Sequence, residues 1–134
     1  MGIRIFAENS DYEFNITYGS FKRMRQEIAH ILDSNYGELY QTLGDKIWYS
    51  RDAMEDIVRK LDLIESSKHL DSDIVSFLWI PDTDGSYDSK GCGKLYDLIK
   101  DVPLEDNYGW PIEWDKFKLF LKECYDTGNE MRWD

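Results

Sequence analysis

Cys92, Cys124, His30 and His69 are the side chains of this chain best suited to nucleophilic or soft-metal chemistry. No two of them stand at the short separation of a zinc-ligand pair. Cys92 sits between Gly91 and Gly93, near the start of a predicted helix. A helix N-terminus lowers a thiol pKa, which makes Cys92 the candidate nucleophile if the chain is an enzyme. No histidine stands near it in sequence to act as its base. Cys124 falls on an apolar helical stripe and reads as core. The chain has no Gly-x-Ser-x-Gly elbow, no phosphate-cradling loop and no dinucleotide fingerprint. The expectation is no catalytic residue and no cofactor, with enzyme chemistry at Cys92 as the alternative.

Asp82, Asp84 and Asp88 surround an Asp84-Gly85 turn signal and supply the hard oxygens a cation would want. Placing Gly85 at the sixth position of a calcium loop puts Asp82 third and Asp84 fifth. It also puts Ile80 first and Gly91 twelfth, so both ends lack a carboxylate. No metal is expected. A looser cation site on Asp82, Asp84 and Asp88, or ligand binding by this loop, is the alternative to a plain polar turn.

Charge points elsewhere. The 134 residues hold 27 Asp and Glu against 16 Lys and Arg, a net −11. Such a field repels phosphate backbones and anionic membrane surfaces, so neither nucleic acid nor membrane is an expected partner. The balance is uneven: 8 basic and 10 acidic residues in 1–60, but 8 and 17 in 61–134. The second part therefore carries −9, with four of the five tryptophans. A one-signed surface speeds encounter with a partner of opposite sign, and aromatics are the common interface anchors. The expected interaction residues are Asp71, Asp73, Asp82, Asp84, Tyr87, Asp88, Tyr108 and Trp110, with Trp79 beside them. The expected partner is a protein with a basic surface. The competing reading is that the acids solvate the chain and the aromatics fill its core.

These residues need elements to position them. Ile3, Ile5 and Ala7 alternate with polar or outward residues, as do Phe14, Ile16 and Tyr18. With turn chemistry in 8–12 between them, residues 3–7 and 13–18 read as an antiparallel hairpin. Ser20 can cap a helix from Phe21, where Phe21, Met24, Ile28, Ile31 and Leu32 form one stripe. Lys22, Arg23 and Arg25 read as lying off that stripe, in the first turn. Further helices are predicted over 35–44, 51–66, 90–101 (capped by Ser89) and 114–126. Residues 74–80, Ile-Val-Ser-Phe-Leu-Trp-Ile, fit a buried strand ended by Pro81. Strand is the favoured reading, but a short buried helix stays open, because periodicity does not separate the two. Residues 82–88 and 103–113 read as loops, and 130–133 as a short closing strand.

The sum is one α+β domain over 1–134. A small antiparallel sheet, the N-terminal hairpin plus one or two more strands, packs with four to five helices. No apolar run reaches membrane-spanning length and no secretory signal is recognisable. With two cysteines, that reads as a cytoplasmic chain with reduced thiols.

From Asp84-Gly85 onward the pattern resembles a loose group of short, acidic, uncharacterised bacterial and prophage proteins. The matching pieces are Asp84-Gly85, Cys92 with Leu95-Tyr96, Tyr108-Gly109, Phe117 to Cys124, and Met131-Arg132-Trp133. The resemblance covers about the last sixty residues and implies a bacterial or phage cytoplasmic setting. It transfers no catalytic residue. Taken with the charge, the expected function is a small interaction module of the inhibitor, immunity or phage-modulator type.

Overall fold

The computed structural model describes residues 2–7, 10–45, 50–103 and 111–134. Chain order is β1 (Gly2–Ala7), β2 (Glu13–Thr17), α1 (Tyr18–Leu32), α2 (Ser34–Asp45), α3 (Arg51–Ser67), α4 (Ser72–Trp79), β3 (Gly85–Tyr87), α5 (Ser89–Ile99), α6 (Pro111–Thr127) and β4 (Met131–Trp133). The four strands form one antiparallel sheet in the order β2-β1-β4-β3. The fold is α+β, and the C-terminal strand lies inside the sheet, between β1 and β3.

Strand periodicity sorts the two faces of the sheet. Ile3, Ile5 and Ala7 of β1, Phe14 and Ile16 of β2, Tyr87 of β3, and Met131 and Trp133 of β4 are all buried. The helices pack on that face: Phe14 meets Phe120 of α6, while Trp133 meets Phe21 of α1 and Phe77 of α4. The other face is polar. There Arg4 lies over the Phe6 ring and pairs with Asp134 at 3.0 Å.

Residues 74–80 are not a strand. Ser72–Trp79 is helix α4, because Asp71 caps it: its carboxylate accepts from the backbone N–H of Asp73 at 2.9 Å and of Ile74 at 3.4 Å. Ile74, Phe77 and Leu78 then fall on one buried face at helical spacing. Ile80 turns extended before Pro81, as the residue before a proline must. The strand lies instead at Gly85–Tyr87, inside the stretch read as a loop.

Two caps also differ from expectation. Thr17, not Ser20, caps α1 by accepting from the Ser20 N–H at 3.0 Å, so the helix starts at Tyr18. Asp88, not Ser89, caps α5 by accepting from the Gly91 N–H at 2.7 Å. Helix α6 begins three residues early, with Pro111 in the first-turn position where a missing N–H is harmless. Glu8 and Asn9 of the hairpin turn, the run Ile47-Trp48-Tyr49, and Tyr108 and Trp110 lie outside the described residues.

The core is aromatic. Phe77 sits within 5.1–6.3 Å of the rings of Phe21, Tyr87, Phe117 and Trp133. Trp133 is fully buried, and its indole N–H donates to the Pro81 carbonyl at 2.9 Å. Its ring presses on Gly85, where an added Cβ would stand 2.6 Å from both the indole Cε2 and Ile80 Cγ2. Only glycine admits that approach. We expect Trp133→Ala to destabilise the chain by about 3–5 kcal/mol. An unchanged midpoint in urea unfolding would contradict this placement.

Candidate functional site

Helix α4 runs through the acidic stretch of the sequence, and each of its ends organises a cluster. At the N-terminal end, Lys94 of α5 reaches across to Asp73 at 2.5 Å and to Asp71 at 3.5 Å. The Lys94 ammonium holds the Asp73 carboxyl below its ordinary range, and its own pKa rises in return. The Tyr87 hydroxyl donates to the Asp73 backbone carbonyl. Burial first, then the Cys92 thiol and the carboxylates of Asp73, Asp88 and Asp71, push the Tyr87 phenol up. Three of the expected interaction acids therefore gather around one buried phenol. Tyr87 itself is a core residue, with its ring against Phe77.

The C-terminal end lies about 12 Å further along the helix. There Trp79 is 44% exposed. Its indole N–H donates to the Tyr36 hydroxyl oxygen at 3.2 Å, and the Tyr36 hydroxyl donates to Glu65 Oε1 at 2.6 Å. The Tyr40 ring stands edge-on to Trp79, at 5.2 Å and 77°. The Tyr40 hydroxyl donates to the Leu78 carbonyl at 2.8 Å. An exposed indole is thus held by two tyrosines and a carboxylate.

Arg25 of α1 approaches the same carbonyl from the core side, with Nη1 at 3.4 Å. Only 6% exposed, its guanidinium lies over the rings of Phe21, Phe77 and Trp133 at 4.5, 5.3 and 5.7 Å. Its Nε and Nη2 find no hydrogen-bond partner among the described residues. Burial lowers the Arg25 pKa, against the opposing pull of Tyr40 and Asp82. The negative end of the α4 dipole offers further compensation. The sequence reading placed Arg25 off the apolar stripe. With the helix starting at Tyr18, it lies in the second turn instead, four residues after Phe21 and on the buried side. That spacing was the available signal for it.

The remaining candidates separate. Asp82 is exposed and acts on Arg25 and Tyr40. Asp84 is exposed beside Phe6, Gly85, Ser86, Arg132 and Asp134, in a shallow groove at the sheet edge. Asp88 is the α5 cap. Among the described residues, no group of three His, Cys, Asp or Glu side chains is placed to hold a metal. Cys92 is fully buried, and the Cys124 thiol together with burial pushes its pKa up. That is the opposite of the activation its helix N-terminus suggests. Sequence reasoning missed Lys94, Tyr36, Tyr40 and Glu65, because their partners come from other helices.

These features define an α+β chain with a helix-covered antiparallel sheet and an acidic, partly aromatic surface at α4. No family model matches it, and no curated protein or solved structure matches it either.

Replacing Arg25 by Met removes a buried charge while keeping apolar bulk. We expect it to stabilise the chain by about 1 kcal/mol or more, read as a higher urea midpoint. A loss of stability would show that the ring contacts outweigh the desolvation. In Lys94→Met, the Asp73 carboxyl should titrate closer to its ordinary value, followed by side-chain carboxyl NMR. The sign follows from linkage: stability from a depressed carboxyl is present above its unfolded pKa and lost as pH falls through the folded one. The variant should therefore lose less stability on acidification than the wild type.

Proposed function

We propose that this chain is a small acidic protein-interaction module of the inhibitor, immunity or phage-modulator type. It docks an acidic, aromatic-containing face on a basic protein partner. The observation that carries the reading is Trp79, an indole left 44% exposed while its ring and N–H are held in place. A pre-ordered aromatic loses little conformational freedom on binding, and tryptophan is the residue type most enriched among interface hot spots. Glu65 is joined to it through Tyr36, and Asp82 lies on the segment that follows α4.

The −9 of residues 61–134 would draw in a basic surface and set its orientation. Asp71 and Asp73 at the start of α4 and Asp88 at the start of α5 add further carboxylates, and Tyr108 and Trp110 are candidates from the sequence alone. On this reading the partner is a protein, with no direct role for nucleic acid or membrane. Among the described residues, no helix is long and apolar enough to cross a membrane. A bacterial or phage-infected cytoplasm is the setting the proposal implies.

The test is capture from bacterial lysate with the wild-type chain and with Trp79→Ala, followed by salt titration of the captured complex. Truncating a hot spot of at least 2 kcal/mol should weaken binding about thirtyfold, and affinity should fall as salt rises. A complex that Trp79→Ala retains in full and that salt does not weaken would overturn the proposal.

A further inference from the structure

Helix α3 has 17 residues, of which only Ile57 and Leu61 are buried, and it packs on α2 along that narrow stripe. A second face of the same helix is left open. Arg51, Met54, Glu55, Val58 and Asp62 recur at helical spacing, so they lie on one side of the cylinder. With Leu43 of α2, the first four of them line an open groove of about 610 Å³. Val58 in that groove is 41% exposed, and Arg51 and Asp62 at its two ends are exposed as well. We propose that the groove docks a second copy of this chain, α3 against α3, antiparallel about a two-fold axis.

The order of charges along the face selects that occupant. Arg51 and Arg59 are positive, Glu55 and Asp62 negative, with Met54 and Val58 between them. A two-fold axis between residues 56 and 57 sets Arg51 level with Asp62 of the second copy. At a rise of about 1.5 Å per residue, Met54 then lies within about 1.5 Å of the level of the second copy's Val58. Glu55 stands in the same relation to the second copy's Arg59. Because the interface is isologous, each contact occurs twice. Apolar side chains meet at the centre and opposite charges meet around them. A parallel pairing would set Arg51 against Arg51 and Asp62 against Asp62, so the charges also fix the direction.

Net charge agrees with this choice. Residues 51–62 hold three basic and four acidic side chains, close to balance, whereas residues 61–134 carry −9. Two copies therefore meet at α3 without the mutual repulsion that the acidic part imposes. A uniformly basic partner has no complement for Arg51 and Arg59, but a second copy does. Within one helix Arg51 already pairs with Glu55 at 3.0 Å, which holds both heads at the rim of the groove. The inference rests on α3 and not on the proposed basic partner.

The experiment is analytical ultracentrifugation of the full chain from about 1 μM to about 1 mM. The expected result is a reversible monomer–dimer equilibrium. Val58→Glu should weaken the dimer by at least about tenfold, with a urea midpoint close to wild type because Val58 is exposed. Arg51→Glu and Asp62→Arg each place like charges opposite one another, and each alone should weaken the dimer by about tenfold or more. An equimolar mixture of those two variants should associate nearly as well as wild type. Its mixed dimer has one native Arg51–Asp62 pair and one reversed pair, both of opposite sign. A wild type that stays monomeric across the range, growth beyond two copies, or a dimer that Val58→Glu leaves intact would each overturn the proposal. So would a mixture that associates no better than its separate components.

Discussion

Seating the Trp133 ring is the constraint on which the rest of this fold depends. Strand β4 has only three residues, yet it lies between β1 and β3, so Trp133 stands opposite Ile5 on one side and Gly85 on the other. Burying a side chain of this size is worth on the order of 5 kcal/mol of transfer free energy. To gain it, the chain needs a glycine at 85, a free carbonyl at Pro81 and a flat ring at Phe77. Each demand acts on a different element. Gly85 sets β3 close to β4, Pro81 positions the end of α4, and Phe77 brings α4 down onto the sheet. The termini are joined in the same step, since Arg4 and Asp134 exchange both backbone hydrogen bonds.

The same aromatic cluster holds the least compensated charge in the described core. Arg25 keeps its guanidinium among three rings and beside one helix-end carbonyl. Ring quadrupoles and the α4 dipole offset part of the desolvation, but two nitrogen donors stay unmatched among the described residues. Leu78 offers its carbonyl to both Arg25 and Tyr40. Through that one atom the core cluster touches the shell that supports Trp79. The contacts that position the exposed indole are therefore continuous with the packing beneath it.

Charge in this chain does local work before it does anything at a distance. Asp71 and Asp88 cap helices, and Asp45 pairs with Lys22 at 3.0 Å. The i,i+4 pairs Arg51–Glu55, Lys60–Asp56 and Lys122–Asp126 decorate exposed helix faces, where such pairs add only a few tenths of a kcal/mol. Capping and pairing leave the net −11 unchanged. They fix where the carboxylates point, which is what a complementary surface would read.

What the sequence determined by itself is what short-range physics governs. Alternation over 3–7 and 13–18 marked the hairpin, although Tyr18 opens α1 instead, and helical stripes marked α1, α2, α3, α5 and α6, because each pattern reports one buried face of one element. The uneven charge was equally legible. Tertiary structure decided the rest. Residues 74–80 are apolar enough for strand or helix, and the deciding factors were the Asp71 cap and a core that wanted Ile74, Phe77 and Leu78 on one side. Gly85–Tyr87 became a strand because β4 offered an edge, which a turn signal cannot show. Tyr87 went to the core while Trp79 stayed at the surface, although both are aromatics in one acidic stretch. The Lys94–Asp73 and Tyr36–Glu65 partnerships join residues 21 and 29 positions apart. Periodicity carries no information across such distances, since only the packing of whole elements brings those side chains together.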